Sequence, residues 1–342
     1  MKISDFDRGA AAICAAAAVL AGCGRNAVVP STALAFTQRG AAASRAVTVR
    51  QRTPCGWLSD KAKGGHRLIY VGNGDEILIY SERSRNPSPI GCISTPVNSS
   101  HGLYVDRGGN VYVANGNNTV TVYAPGSLTP SATYFVGKAG PMYPIADGHG
   151  NVFVSTNQGT VVEFLHDRAS PYRTLQTQGY EADGMAFDRN GNLYVTYRTA
   201  YLSGGIETFA PGSTQGTVLG MEVIQPQGIV VTTDGTIIVV ETGRADGVYV
   251  FAKGTQNPEQ TLRLGIHDTP VQLALTKSED EIFLSAFGWL GSGRVYAAPY
   301  PLGASSHFQS KIAFHCCFKH NGHRRRHVWQ IQGVALSNGL TF

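Results

Sequence analysis

The sequence predicts an all-β chain assembled from repeated four-stranded sheets, and three observations carry that reading. First, a short pattern recurs: Gly109-Asn110-Val111-Tyr112-Val113, Gly150-Asn151-Val152-Phe153-Val154 and Gly191-Asn192-Leu193-Tyr194-Val195. Weaker copies are Gly235-Thr236-Ile237-Ile238-Val239 and Asp280-Glu281-Ile282-Phe283-Leu284, and Leu68-Ile69-Tyr70-Val71 is a first copy without its leading turn. Successive copies lie 43, 41, 41, 44 and 45 residues apart. Second, each unit holds four short apolar runs bounded by Gly, Asn, Asp or Pro, the mark of strands joined by tight turns. Third, 41 glycines and a charged fraction of 15% in 342 residues exclude a disordered chain, a coiled coil or a long-helix protein.

In chain order, the amino terminus comes first. Lys2 and Arg8 flank a start diluted by Asp5 and Asp7, and an apolar run of 12 residues follows from Gly9 to Leu20. That run is too short for a bilayer core of about 30 Å, which needs roughly 20 residues, and it reads as a secretory signal. It ends in Leu20-Ala21-Gly22-Cys23, which resembles a bacterial lipobox. The resemblance implies cleavage after residue 22, lipidation of the Cys23 thiol and, with Gly24 next, the outer membrane in a two-membrane cell. Residues 23–65 then read as a lipidated tether, rich in Ala, Ser, Thr and Val without a durable period.

Residues 66–342 carry the repeats. Blade two shows the four runs best, at His101–Val105, Val111–Ala114, Val120–Tyr123 and Ala132–Val136. Asp106, Asp147 and Asp188 each stand four residues before the Asn of their Gly-Asn pair, where a carboxylate caps the turn backbone. Four strands per unit, repeated radially, describe a β-propeller, and six copies of the second strand give six blades. The first copy lacks its own inner strand, and Gly333-Val334-Ala335-Leu336-Ser337 matches the missing piece. The two chain ends are therefore expected to close the ring, leaving no open edge. This tandem pattern resembles the NHL-repeat propellers and the regucalcin/gluconolactonase group. The resemblance implies a fold and not a function, since propellers host many unrelated activities.

In propellers of that kind the residue just before each inner strand faces the channel mouth. Counting back eight residues from each turn Asn or its equivalent gives Gly102, Tyr143, Gly184, Gly228 and Leu273, with Gly333 closing. Their predecessors are His101, Met142, Asp183, Gln227, Gln272 and Gln332, the expected binding ring. Ala182-Asp183-Gly184-Met185 resembles the Pro-Asp-Gly-Met stretch that supplies a metal-ligand Asp in regucalcin-like lactonases. Those enzymes also use a Glu and an Asn at comparable positions, where this chain has amides, a thioether and an imidazole. A hard divalent ion needs several oxygen ligands, preferably anionic. The resemblance thus covers one ligand, and a turn cap is the other reading of Asp183. His101 is a candidate general base, since imidazole titrates near neutrality. The neighbouring loops carry Asn73, Asn115, Asn117, Asn118, Tyr197, Arg198, Glu241, Arg244 and Trp289, a decoration suited to polar ligands or a protein partner.

The last interval, from Leu273 to Gly333, grows to 60 residues and includes a basic insertion at 311–327. On a helix, Cys316, His320, His323 and His327 would share one face and offer the four N/S ligands of a zinc site. Asn321 and Gly322 weaken such a helix, and an exposed basic segment is the default reading. The insertion nets +5 and residues 24–63 net +6, leaving the rest of the propeller at −6 within an overall +5. The basic balance therefore gives no argument for nucleic acid; it points to anionic lipid or the envelope. Of six cysteines, Cys55 and Cys92 flank blade one and are expected to pair, stapling the tether to the blade. The sequence reading is thus a membrane-anchored, non-enzymatic module for a polar ligand or envelope protein, with no cofactor. Its alternative is a lactonase or lyase using one divalent metal ion near Asp183 and His101.

Overall fold

In the computed structural model the described residues are 54–63, 67–85, 87–200, 203–221, 223–242, 247–263, 268–287, 293–303, 306–314 and 331–337. The expected signal and lipidation site at Cys23, and the proposed Cys316/His320/His323/His327 ligand set, lie outside them.

Blade one opens with β1 (Trp57–Leu58) and helix α1 (Asp60–Lys63), followed by β2 (Leu68–Asn73), β3 (Glu76–Ser81) and β4 (Gly91–Ile93). Blade two is β5 (Ser100–Val105), β6 (Val111–Asn115), β7 (Thr119–Tyr123) and β8 (Ala132–Phe135). Blade three is β9 (Pro141–Ala146), β10 (Val152–Thr156), β11 (Thr160–Phe164) and β12 (Arg173–Gln176). Blade four is β13 (Glu181–Phe187), β14 (Leu193–Ala200), β15 (Ser203–Phe209) and β16 (Gly216–Val218). Blade five is β17 (Pro226–Val231), β18 (Ile237–Glu241), β19 (Gly247–Phe251) and β20 (Gln260–Arg263). Blade six is β21 (Thr269–Leu275), β22 (Glu281–Phe287), β23 (Gly293–Pro299) and β24 (Gln309–Phe314). Blades two to six are each an antiparallel meander with the first strand innermost.

The last strand, β25 (Ile331–Leu336), returns to blade one and pairs antiparallel with β2, Ile69 opposite Leu336 and Val71 opposite Val334. The ring closes as the missing inner strand required. Blade one also has a fifth strand, because β1 pairs outside β4 with Trp57 opposite Cys92. Residues 54–63, which the sequence reading assigned to the tether, are here ordered against that blade, with Ala62 in its core. Cys55 and Cys92 are joined by a disulfide, their Cα atoms 5.2 Å apart.

The core explains why the second strands read as continuous apolar runs. Both faces of a blade are covered, so β6, β10 and β18 are buried along their whole length. The buried apolar side chains fall into six clusters, one between each pair of neighbouring blades. The sixth, between blades six and one, joins Phe283 and Ile312 to Ile69, Val71, Val334 and Leu336. Each such side chain stabilises the fold by about 1.5–3 kcal/mol on burial, so the closing strand carries several of the contacts that hold the ring.

The repeated turns use one device. Asp106, Asp147 and Asp188 each accept from the backbone N–H of the Asn four residues on at 2.9 Å and from its side-chain amide at 2.8 Å. Gly109, Gly150 and Gly191 lie between them at φ of 81°, 83° and 78°, the left-handed region open to glycine. The Asp-x-x-Gly-Asn pattern is a turn scaffold.

Candidate functional site

The first strands start, and the second strands end, on one face of the ring, as the pairings of Ser100 with Asn115, Glu181 with Arg198 and Pro226 with Glu241 require. That face is the mouth. His101, Met142, Asp183, Gln227 and Gln272 all line one small cavity there, of about 50 Å³, together with Tyr143 and three glycines. The sixth expected member, Gln332, falls in β25, and its side chain is outside the described residues.

The glycines set the cavity's size. A Cβ at Gly184 would lie 2.4 Å from the Gln227 carbonyl and 2.9 Å from the Gly228 Cα. At Gly102 it would meet the Met142 carbonyl at 2.6 Å, and at Gly228 the Leu273 amide nitrogen at 2.7 Å. A Cβ at Gly333 would stand 2.8 Å from the His101 carbonyl. Absence of side chains at these positions lets neighbouring inner strands approach backbone to backbone and draws the channel in. Beyond this level it continues as an apolar cavity of about 70 Å³ lined by residues such as Leu103, Ile145, Met185, Ile229 and Val334.

Gln272 sits in the ring as a structural member. Its Oε1 accepts from the Leu103 and Val334 amides, at 3.3 and 3.2 Å. Its two Nε2 hydrogens are shared among the Leu103 and Val334 carbonyls and the Tyr143 hydroxyl, at 2.7, 2.8 and 2.7 Å. One buried amide thus ties β21 to β5, β9 and the closing strand, and all its hydrogen-bonding capacity is engaged.

The charged part of the mouth belongs to blade four. Asp183 is buried, and its Oδ2 accepts from Arg198 Nε at 2.9 Å. Arg198 Nη2 reaches Glu181 Oε1 at 2.5 Å. Neither reading of Asp183 foresaw this partner: its carboxylate caps no turn and instead forms an ion pair across the β13–β14 hairpin. A register shift between Ala182 and Met185 accompanies the arrangement. Two carboxylates share one guanidinium. Burial, reinforced by the nearby Glu181 and opposed by Arg198, pushes the Asp183 carboxyl up to about 7. Burial works against the Arg198 charge, but Asp183 and Glu181 together hold its pKa above the ordinary value. His101 meets the Pro141 carbonyl at 3.0 Å through Nδ1, and burial lowers its pKa against the opposing pull of that bond and of Glu181.

The loop residues singled out in the sequence divide. Asn115 is buried, with its Oδ1 receiving the Asn98 amide at 3.0 Å and its Nδ2 donating to Val113 O and Thr121 Oγ1. Glu241 is buried and accepts from the Ile224 amide at 3.0 Å. Both hold their own loops. Arg198 alone of that set is shown bonding to the Asp183 carboxylate; Arg244 and Trp289 lie outside the described residues.

As to metals, among the described residues Cys55, Glu76 and Cys92 bring ligand-type atoms within 4.8 Å of one another. The two sulfurs are bonded to each other, so no thiolate is offered. At the mouth, an added cation would share the Asp183 carboxylate with Arg198, which already holds Oδ2. The architecture defines a six-bladed β-propeller. The chain matches no protein-family model and no curated protein.

Proposed function

We propose that the protein is an exported, membrane-anchored propeller that binds a polar ligand or an envelope protein at its mouth and catalyses no reaction. The observation that carries this reading is the prior engagement of the mouth's polar groups. Arg198 is bonded to the buried carboxylate, Gln272 is engaged by its neighbours, and the remaining cavity of about 50 Å³ has room for a few waters. Ligand pockets of enzymes are several times larger. Contact would therefore fall on the rim, where Tyr180, beside Glu181, is 52% exposed.

One observation favours the lactonase or lyase alternative. His101 and Asp183 line the same cavity, and burial shifts both toward their neutral forms, one downward and one upward. A proton donor and acceptor in one place is the minimum for acid–base work. Purified protein supplied with Ca²⁺, Zn²⁺ or Mn²⁺ is expected to leave simple sugar lactones unhydrolysed above background. Metal-dependent turnover lost in Asp183→Ala would replace the binding reading with the enzymatic one.

The anchor is proposed from the Leu20-Ala21-Gly22-Cys23 stretch. Cys23→Ser is expected to move the protein from the membrane fraction to the soluble one, and unchanged detergent partitioning would sink that part of the proposal.

A further inference from the structure

On the opposite face, where the Asp-x-x-Gly-Asn turns lie, blades three and four part to leave a cavity of about 620 Å³. That volume is in the range that encloses a small ligand, and it is far larger than the mouth. Its walls are built rather than incidental. Phe153 and Phe187, one from each blade, meet edge to face at 5.2 Å between ring centres and form an apolar base. Arg173 is fixed by the buried Glu163 carboxylate and the Gly212 carbonyl, and among the described residues its Nη2 has no hydrogen-bond partner. Tyr172 presents a ring that is 60% exposed, with the Arg173 guanidinium 5.9 Å from its centre. Arg189 and Asn190, both exposed, come from the blade-four turn.

We infer that this cleft binds a saccharide. The carboxylates of Asp147 and Asp188 are taken up within their own turns and that of Glu163 by Arg173, so they recruit no cation. The three acidic lining residues are nearly balanced by Arg173 and Arg189, so no strongly charged ligand is selected in either sense. What remains is an exposed aromatic face beside amide groups, which both donate and accept, and guanidinium groups, which donate only. A sugar ring has the matching halves: an apolar C–H face for Tyr172, and hydroxyls that act as donors and acceptors for the turn side chains. This site is separate from the mouth, and its occupancy does not depend on what the mouth does.

Cellobiose, maltose and chitobiose are suitable probes, titrated calorimetrically into the full chain. Saturable binding of at least one is expected, weakened at least about tenfold by Tyr172→Ala, which removes the stacking face. Tyr172→Trp keeps a ring and should retain binding. Phe135→Ala, which removes another exposed ring on blade two, should leave the affinity unchanged. Because Tyr172 and Phe135 are exposed, equal melting temperatures are expected for all three variants. Failure of all three sugars to bind, affinity indifferent to Tyr172→Ala, or equal loss in Phe135→Ala would each overturn the inference.

Discussion

The two faces of the ring use the same residue type in opposite ways. On the turn face, Asp106, Asp147 and Asp188 accept hydrogen bonds from neutral amides within five residues of chain. At the mouth, Asp183 depends on a guanidinium brought from the next strand, and Glu181 competes for it. The first kind of carboxylate recurs with the repeat and makes a local turn. The second interrupts the repeat and leaves one buried carboxyl poorly compensated, which is why it titrates near neutrality. Residues that recur tell how the chain folds, and residues that break the recurrence mark where its chemistry is unusual.

The largest expected effect concerns what both faces share, the closed ring. Deleting residues 331–342 removes β25, uncovers the inner edge of β2 and takes Val334 and Leu336 out of the cluster between blades six and one. Aggregation on size-exclusion chromatography, or loss of a cooperative melt, is expected. A truncated chain that melts like the intact one would show that the ring holds by other contacts.

Two substitutions separate the carboxylates of the two faces. Arg198→Met leaves Asp183 and Glu181 without their shared cation, and breaking a buried pair in this way costs about 3 kcal/mol or more. Asp147→Ala removes a turn cap and is expected to cost about 1 kcal/mol. Denaturant titrations that give equal losses for the two variants would erase the distinction between the faces.

A smaller effect separates the faces by pH. The folded Asp183 carboxyl titrates at about 7 and the unfolded one near 4, so between these values the folded state binds the extra proton. Its contribution to stability is therefore largest below about pH 4 and declines as pH rises toward 7. Unfolding free energies measured at about pH 5 and about pH 8 should fall further in the wild type than in Asp183→Asn. Parallel profiles would mean that this carboxyl is ordinary.

Much of this was legible in the chain because a propeller writes its fold periodically. The 41–45-residue spacing located the second strands, the gap before Leu68 called for a strand from the carboxyl end, and counting back from the turns reached the mouth positions. Non-periodic relations stayed hidden. Arg198 looked like one loop cation among many, and only the β13–β14 register brings it to Asp183. Gln272 looked like a free amide, and its engagement depends on Leu103, Tyr143 and Val334, far away in sequence. The cleft between blades three and four escaped notice because Tyr172 ends a connection, and Arg173 opens an outer strand, whose residues differ from blade to blade.

The mouth carboxylate is bonded to Arg198, and the binding function proposed above expects no metal ion there. Calorimetric titration of the purified chain with Ca²⁺, Zn²⁺ and Mn²⁺, beside Asp183→Asn, tests it directly. No saturable binding that depends on Asp183 is expected, so the two proteins should give the same heats. Stoichiometric binding of any of these ions by the wild type, abolished in Asp183→Asn, would contradict it.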